Sequence, residues 1–423
     1  MALELMRPPS QMPQIPKGSL VIIRHPGYED EKPLFCLPAF DSIKSDQETI
    51  IGVHCLTVLT ACGIITGNLF DKVYLSYDKY GQRVVQTHRH SLLRSGSYYL
   101  QVKGSEPQPP ENGSTTTADG TADSSSLSAT HIPYPVVPDF TDWEFPHGKV
   151  PKEWEQPYEF KLQSPERCVI TASERKEIVE QAHIISDERK RWFEENSMIE
   201  SLGRNGSEFD NSIDSPLNRI RLRCDLHKLF NRGLFVIVPK PRSVLQSSCT
   251  QLPVAATTQQ SPAADRTEQL STAEDPGLVF GVHFLNGLGI REYVESYHNI
   301  SIRDEDLDCF SLEFLFAHFA WALFPRLNDF FDDTTKRNVK IITIEKTSVQ
   351  SKKTVFISAA GLTTKGGNTG NKRPRTESTG RGNVFLEWNG FEQDHNGEWR
   401  LRSPIEYRLD SESESESEGS DRG

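Results

Sequence analysis

Short runs of apolar residues, separated by polar turns, dominate the first hundred positions of this 423-residue chain. The segments 20–23 (LVII) and 34–40 predict strands, and the alternating runs of VYLSYDKYGQRVV, which turn at 79–81, predict a β-hairpin. Residues 49–70 lack charge and are long enough to cross a bilayer, but their histidine, glycines and threonines favour a buried helix ending near Gly67-Asn68. We therefore predict a small α+β N-terminal unit over residues 19–103.

A second set of apolar runs, between residues 164 and 325, predicts a second α+β domain. Strands are expected at 168–170, 179–185 and 234–239, and a charged helix at 187–196. Residues 220–231 predict a further helix, which Gly233 ends. The segment 311–324 (SLEFLFAHFAWALF) is apolar on nearly every face, which is typical of a helix buried across a domain.

Between and beyond these runs the composition changes. Hydrophobic residues make up 36% of the chain, which is low for a compact globule of this length. We expect disorder at 1–18, in a linker at 104–131 and in an insertion at 244–274, because such compositions bury too little apolar surface to offset the entropy of ordering. Residues 132–163, rich in proline and aromatics, predict an extended connector. A mostly disordered tail is expected over 326–423, with a basic patch at 372–375 inside the segment 363–382 and the acidic end SESESESE.

Charge and cysteine content restrict the environment and the partners. The net charge of −12 argues against a protein that coats nucleic acid along its whole surface. The seven cysteines are an odd number without a CxxC pair, so neither a disulfide framework nor a four-cysteine zinc ribbon is indicated. The first twenty residues hold four prolines and no apolar signal core. We expect an intracellular protein, nuclear or cytoplasmic, that is neither secreted nor a membrane protein.

Three ordered fragments carry the candidate chemistry: CVITAS from 168, QAHIIS from 181, and LNRIRLRCDLHKLFNRGLFVIVP from 217. Hydrolysis of a phosphodiester needs a base that activates water and a cation that neutralises charge on the leaving oxygen. His183, at the end of an apolar strand, suits the base, and His227, beside the apolar stripe of its helix, suits a half-buried metal ligand. Asn218 precedes that helix and suits a brace between the two elements. Taken singly, the three residues also fit structural roles, as a core histidine, a surface histidine and a helix cap.

The ordered set resembles the HNH endonuclease superfamily, in the branch common in fungal proteins. That branch shows a Cys-x-x-Thr strand, an Ala-His-Ile strand and an Asn…Leu-x-x-Asp-Leu-His-x-Leu-Phe helix, and the resemblance covers about residues 165–240. It implies a ββα-metal module in which His183 is the general base, His227 holds a divalent metal ion and Asn218 braces the loop. Mg²⁺ is the expected ion, with Mn²⁺, Ni²⁺ or Zn²⁺ as alternatives because imidazole also suits them.

The resemblance has gaps that leave a second function open. Many HNH enzymes carry a metal-binding aspartate just before the strand histidine, where this chain has Ala182. Asp225 is the nearest candidate for a second metal ligand, but residues two positions apart on a helix point about 200° apart, so Asp225 and His227 cannot easily share one ion. A metal-dependent endonuclease and a catalytically degenerate scaffold that binds nucleic acid or protein are therefore both compatible with the sequence. Further departures occur where the branch prefers glycine or aspartate: Arg219, Ala172 and Asn231.

Basic residues concentrate around the proposed site. Residues 216–242 hold seven of them and one acid, in an otherwise acidic chain. Such a patch is either a solvated helix face or a surface for phosphates, and its imbalance favours nucleic acid as the partner, DNA ahead of RNA. Five of the seven basic residues are the candidate nucleic-acid contacts: Arg219, Arg221, Arg223, Lys228 and Arg232. The other two are Lys240 and Arg242.

Overall fold

A computed structural model describes residues 19–28, 32–43, 49–86, 88–104, 134–155, 160, 166–199, 212–242, 244, 277–331 and 337–341, and the backbone of strand residues 44, 342–344, 350–357, 391–393 and 399–401. The chain divides into two compact units, residues 1–373 and 374–423. The smaller unit contributes one described antiparallel hairpin, with strands Phe391–Gln393 and Trp399–Leu401. The candidate site lies in the larger unit.

Two sheets and a helix form the N-terminal part of the larger unit. One sheet has the order β2-β1-β7-β5, and only its β1–β7 pair is parallel. Its strands are β1 (Leu20–Arg24), β2 (Pro33–Pro38), β5 (Val73–Ser76) and β7 (Gly96–Val102). The second sheet is antiparallel in the order β3-β4-β6 and consists of β3 (Asp41–Lys44), β4 (Thr49–His54) and β6 (Leu92–Arg94).

Helix α1 (Cys55–Ile65) is shorter than the uncharged segment 49–70 predicted. The first six residues of that segment, rich in β-branched side chains, pair instead as β4 with β3 and β6. The helix ends where predicted, because Gly67 and Asn68 take φ values of 74° and 71°. The turn predicted at 79–81 is also present, closed by a bridge between Ser76 and Val84. Within the described residues no helix is both long and apolar enough to span a bilayer.

The C-terminal part of the larger unit contains three antiparallel strand pairs, β8–β9, β10–β11 and β12–β13, and six helices among the described residues. The predicted strand at 168–170 is wrong: these residues form a turn in which the amide of Ala172 donates to the carbonyl of Cys168. The elements are β8 (Val179–His183), α2 (Lys190–Glu195), β9 (Arg219–Arg223), α3 (Cys224–Phe230), β10 (Phe235–Pro241), β11 (Leu278–Phe284), α4 (Arg291–Tyr297), α5 (Asp304–Leu307), α6 (Leu312–Leu323), α7 (Asn328–Phe331), β12 (Arg337–Ile344) and β13 (Gln350–Ile357).

Helix α6 is the centre of the core, as its apolar sequence predicted. Ten of its twelve residues are buried, and its phenylalanines contact both halves of the unit. Trp154, from the predicted connector, lies with its ring centroid 5.2 Å from that of Phe316. Trp143, also from the connector, stacks on Trp192 of α2 at 5.7 Å. The connector therefore contributes two large buried side chains to the core rather than only spanning a surface.

The mixed α+β fold class is confirmed, and the segments predicted to be disordered fall mainly outside the described residues. This applies to 1–18, 105–131, 245–274, 363–382 and the acidic end. Val244, the first residue of the predicted insertion, is fully buried. Ordered structure also continues past residue 325, since α7 and β12 bury Phe330 and Val339 in the same core.

Candidate active site

The candidate site is built on the antiparallel pair of β8 and β9 and on α3, which begins directly after β9. In the register of this pair, His183 lies opposite Arg219 and Ala182 opposite Ile220. The helix predicted over 220–231 is wrong in its first four residues. Arg219-Ile220-Arg221-Leu222-Arg223 alternates basic and apolar residues, and this period of two suits a strand with one buried face.

His183 is held at the end of β8 with one ring nitrogen engaged. Its Nε2 lies 3.1 Å from Oδ1 of Asp214, so the ring donates that proton to the carboxylate. Nη2 of Arg219 donates to the same oxygen at 2.8 Å. The hydrogen bond from His183 and the charge of Arg219 hold the pKa of Asp214 below its usual range. The proton on Nε2 leaves Nδ1 as the basic nitrogen, and within the described part of the chain nothing is bonded to it.

Asn218 braces the loop after β8 with its whole side chain. It is fully buried, its Oδ1 accepts from the amide of Ile185 at 2.8 Å, and its Nδ2 donates to the carbonyls of Ile185 (3.0 Å) and Ile213 (2.8 Å). Its own carbonyl accepts from the amide of Ile184. Asn218 therefore fixes the two residues that follow His183 and the backbone of Ile213, beside Asp214.

His227 projects from α3 with both ring nitrogens in contact. Nδ1 donates to Oε2 of Glu180 at 2.7 Å, and Nε2 lies 3.0 Å from Nδ2 of Asn231, one helical turn later. An amide nitrogen is a donor and a carboxylate is an acceptor, so the proton sits on Nδ1 and Nε2 carries the lone pair. Metal-binding histidines typically donate the proton of one ring nitrogen to a carboxylate in this way, which orients the ring.

A pocket beside His183 is also lined by the asparagine that contacts His227. His183 and Asn231 both line it, together with Ser186, Arg189, His318 and Trp321, and Asn231 in turn contacts Nε2 of His227. His318 of α6 forms the floor, where it donates from Nδ1 to the carbonyl of Ile184 at 3.0 Å and stacks on Phe230 at 3.8 Å. Burial lowers the pKa of His318 to about 4, so this ring is a neutral support for the strand end.

The carboxylate of Asp225, a candidate metal ligand, binds an arginine instead. Its two carboxylate oxygens accept from the guanidinium of Arg223 at 2.7 and 2.6 Å, and Oδ1 also accepts the amide of Leu226. The hydrogen bond from Arg223 holds the pKa of Asp225 below its usual range. A cation at Asp225 would have to displace Arg223, so the aspartate orients this arginine, whose guanidinium also lies 5.4 Å from the ring centroid of Tyr297.

The basic residues around the site differ in their exposure. Lys228 and Arg232 are exposed on and beside α3, and Arg221 is half-buried on the same strand as Arg219. The positive patch inferred from residues 216–242 requires one correction, because Lys240 is fully buried and donates to Asp41 at 2.6 Å. The side chains of Arg219 and Arg223 are neutralised in part by their acidic neighbours.

Three residues that the sequence reasoning did not assign contribute to the site: Glu180, Asp214 and Asn231. Glu180 and His183 lie on one strand, and Asn231 follows His227 by four positions, which places both on one face of the helix. The spacing of four positions from His227 was the feature of the sequence that could have indicated Asn231. Asp214 had no such signal, because it follows His183 by 31 positions and only the tertiary structure brings the two together.

A separate group of side chains has a composition suited to a metal ion. Among the described residues, Asp41, His283 and His298 place one ligand atom each within 4.8 Å of one another, all buried. Two contacts argue against an ion there. Nδ1 of His298 accepts the amide of Phe284, so its Nε2 carries the proton that is donated to Asp41. The ammonium of Lys240 already supplies the positive charge.

Comparison with known proteins identifies the part of the chain that holds this site. Residues 168–238 match the family model described as HNH endonuclease. The match contains β8, β9 and α3 and therefore His183, Asn218 and His227. The chain matches no curated protein and no solved structure.

Proposed function

Because residues 168–238 match the HNH endonuclease family model, we propose that this protein is a metal-dependent endonuclease that hydrolyses phosphodiester bonds in nucleic acid. The observation that carries the proposal is the pocket shared by His183 and Asn231. In this pocket the proposed base, His183, lies with Asn231, which contacts the lone pair on Nε2 of His227.

The donor set around His227 fits a divalent cation. The tautomer fixed by Glu180 presents an unprotonated Nε2, and the side-chain amide of Asn231 can offer its oxygen in place of its nitrogen after a half-turn about its terminal bond. HNH domains in general use a divalent metal, and a cation held there would neutralise charge on the scissile phosphate and the leaving oxygen.

The proton chemistry rests on His183. Its Nδ1 accepts a proton from the attacking water, and the carboxylate of Asp214 stabilises the imidazolium that forms while it keeps the ring oriented. Arg219 keeps Asp214 ionised and in place. Asn218 and His318 hold the backbone that follows His183 through hydrogen bonds to Ile184 and Ile185, so the base stays aimed at the pocket.

The test separates cleavage from binding. We expect His183→Ala to abolish cleavage of plasmid DNA in Mg²⁺ or Mn²⁺ while its affinity for the same DNA, measured without metal, stays within about twofold, because a general base adds little ground-state binding. His227→Ala should lose both cleavage and metal binding. His147, an exposed histidine outside the pocket, gives the control variant His147→Ala. Cleavage by His183→Ala at the wild-type rate would contradict the assignment of the base.

The degenerate scaffold stays as a second candidate because two observations favour it. Ala182 is fully buried and offers no carboxylate, and the amide nitrogen rather than the oxygen of Asn231 faces His227. A wild-type chain that binds nucleic acid but cuts neither DNA nor RNA with any divalent ion would establish this alternative.

We also propose a substrate, a metal ion, phosphate contacts and a location for this protein. DNA is preferred over RNA as substrate, and Mg²⁺ over Mn²⁺, Ni²⁺ and Zn²⁺. Lys228 and Arg232, both exposed, are the side chains best placed for phosphate contacts, with Arg219, Arg221 and Arg223 behind them. An intracellular, nuclear or cytoplasmic location is part of the proposal, since none of the six described cysteines forms a disulfide.

A further inference from the structure

Exposed aromatic side chains concentrate in the loop 77–83, which we call the tyrosine loop. Among the described residues four large hydrophobic side chains are exposed, and three of them lie here or next to it: Tyr77 at 49%, Tyr80 at 60% and Val84 at 39%. A single exposed apolar residue is ordinary, but aromatic rings stabilise a fold by being buried. The ring of Tyr77 contacts that of the buried Tyr98 at 5.6 Å, yet about half of Tyr77 and more than half of Tyr80 remain open to solvent.

The loop lies in a basic stretch of an acidic chain. Residues 72–103 contain six lysines and arginines against one acid, Asp78, whereas the whole chain has a net charge of −12. Asp78 turns its carboxylate inward to the loop backbone and adds little to the outer surface. Arg83, Arg89 and Arg94 are exposed, and of these Arg89 is paired with Glu153 at 3.1 Å.

The tyrosine loop is rigidly built in spite of its exposure. The carboxylate of Asp78 accepts the amides of Tyr80 (2.9 Å), Gln82 (3.2 Å) and Arg83 (2.6 Å). Gln101 donates to the carbonyl of Lys79 at 3.2 Å from beneath the loop. Gly81 supplies the positive φ of 74° that the turn needs. A loop organised in this way presents its side chains without an ordering cost on binding.

A cation lies over one face of each exposed ring. The guanidinium of Arg83 lies 5.6 Å from the ring centroid of Tyr77, and Nζ of Lys79 lies 5.3 Å from that of Tyr80. Aromatic faces next to basic groups are the elements with which proteins bind single-stranded nucleic acid, since bases stack on the rings and phosphates contact the cations. A duplex buries its base faces, so only unpaired nucleotides can use the rings.

We propose that the tyrosine loop is a second nucleic-acid contact of this protein and that it binds unpaired nucleotides by stacking on Tyr77 and Tyr80. This inference rests on the proposed function, because it assigns to the nuclease a preference for substrates with single-stranded segments. Arg83 and Lys79 contact the phosphates beside the stacked bases.

The test measures binding without cleavage. The full chain, with EDTA present, is titrated against a fluorescein-labelled 20-nucleotide oligothymidylate and against a 20-base-pair duplex, and anisotropy is recorded. The double variant Tyr77→Ala/Tyr80→Ala should bind the single strand at least tenfold more weakly and the duplex within about twofold of wild type. Tyr77→Phe/Tyr80→Phe, which keeps the rings, should bind like wild type. Arg83→Ala should flatten the slope of log affinity against log salt by about 0.7 for the single strand.

Two matched controls test whether any exposed residue would have the same effect. Leu288→Ala removes an exposed apolar side chain outside the loop, and Lys149→Ala removes an exposed cation elsewhere; neither should change the single-strand affinity. Unchanged single-strand binding by the double alanine variant, or equal losses for strand and duplex, would overturn the proposal, and a partner protein would then be the occupant to test. The assay contains no metal, so a failure here leaves plasmid cleavage and the role of His183 to be judged separately.

Discussion

The ammonium of Lys240 lies 2.6 Å from a carboxylate oxygen of Asp41, and neither side chain has exposed surface. The pair joins β3 to β10 across 199 positions of sequence. Although burial alone would raise it, the charge of Lys240 and the hydrogen bond from His298 hold the pKa of Asp41 well below its usual range. The second carboxylate oxygen accepts the amide of His54 at 2.8 Å. The N-terminal strands are thus tied to β10 by a buried ion pair as well as by apolar packing.

The two members of this pair should be energetically coupled. Lys240→Met leaves an uncompensated buried carboxylate, and we expect the free energy of unfolding to fall by about 3–5 kcal/mol. Asp41→Asn/Lys240→Met should lose clearly less than the sum of its two single variants, as a double-mutant cycle by urea denaturation will measure. Arg191→Met, which breaks an exposed pair with Glu195, is the control and should leave stability nearly unchanged. Additive losses in the cycle would show that the two side chains are not coupled.

Buried neutral histidines should make the fold sensitive to mild acid. Burial lowers the pKa of His54 to about 3, and that of His298 and His318 to about 4. The unfolded chain binds these protons near pH 6.5, whereas the folded chain does not until the pH falls to about 4, so stability decreases as the pH falls through this window.

The magnitude follows from the same linkage. At pH 5 each of these histidines contributes a loss on the order of 2 kcal/mol relative to pH 7.5, since one pKa unit corresponds to about 1.4 kcal/mol. Urea denaturation at pH 7.5, 6.0 and 5.0 measures the effect. His147→Gln, at an exposed site, should leave the pH dependence unchanged, and His318→Gln should weaken it. A free energy of unfolding that is constant between pH 7.5 and 5.0 would refute the prediction.

The candidate site residues could be named from local motifs, whereas the bounds of the elements around them depend on tertiary pairing. The order of His183, Asn218 and His227 was readable because each motif is local, and helix α6 was readable because nearly all of its residues are apolar. The boundary at Cys224 was misjudged because Leu222 and Leu226 also fit a helical stripe, while pairing with β8 decides in favour of a strand up to Arg223.

The contacts that complete the site depend on distant parts of the chain. The basic neighbours of Lys240 predict a surface cation, yet its partner Asp41 lies in another sheet, and no local pattern links the two. Asp214 reaches His183 only through the turn that Asn218 braces. Spacing can indicate which residues act, but the acids that orient them are assigned by the tertiary structure.

The free energy of unfolding should depend on the hydrogen-bonding groups of the Asn218 side chain more than on its volume. Asn218→Ala removes three buried hydrogen bonds to Ile185 and Ile213, and we expect a loss of about 2–4 kcal/mol in the free energy of unfolding. Asn218→Asp keeps the shape but directs an acceptor at two carbonyl oxygens, so it should be at least as destabilising. Thermal denaturation of both variants measures this. A wild-type melting temperature for Asn218→Asp would show that the described network does not hold the loop.

Asn231→Asp is the most direct test of the proposed metal site, because it replaces the side-chain amide nitrogen with a carboxylate oxygen and changes little else in the shape of the side chain. Nδ2 of Asn231 lies 3.0 Å from Nε2 of His227, and a carboxylate at the same position would set an anionic oxygen beside the lone pair. Asn231→Asp should therefore bind Mn²⁺ at least tenfold more tightly than wild type by isothermal titration, since hard divalent cations prefer carboxylate oxygen to an amide.

Two further variants distinguish coordination from a general change in charge. Arg232→Gln alters the local charge by the same single unit at the next exposed position but offers no anionic ligand, so it should improve Mn²⁺ binding by less than about threefold. His227→Ala in the Asn231→Asp background should remove most of the gain, because the carboxylate alone is a weak site. If Arg232→Gln and Asn231→Asp tighten binding equally, the cation is attracted by charge alone and is not held between His227 and residue 231. If only Asn231→Asp responds, and only with His227 present, the pocket shared with His183 holds the ion where the proposed hydrolysis requires it.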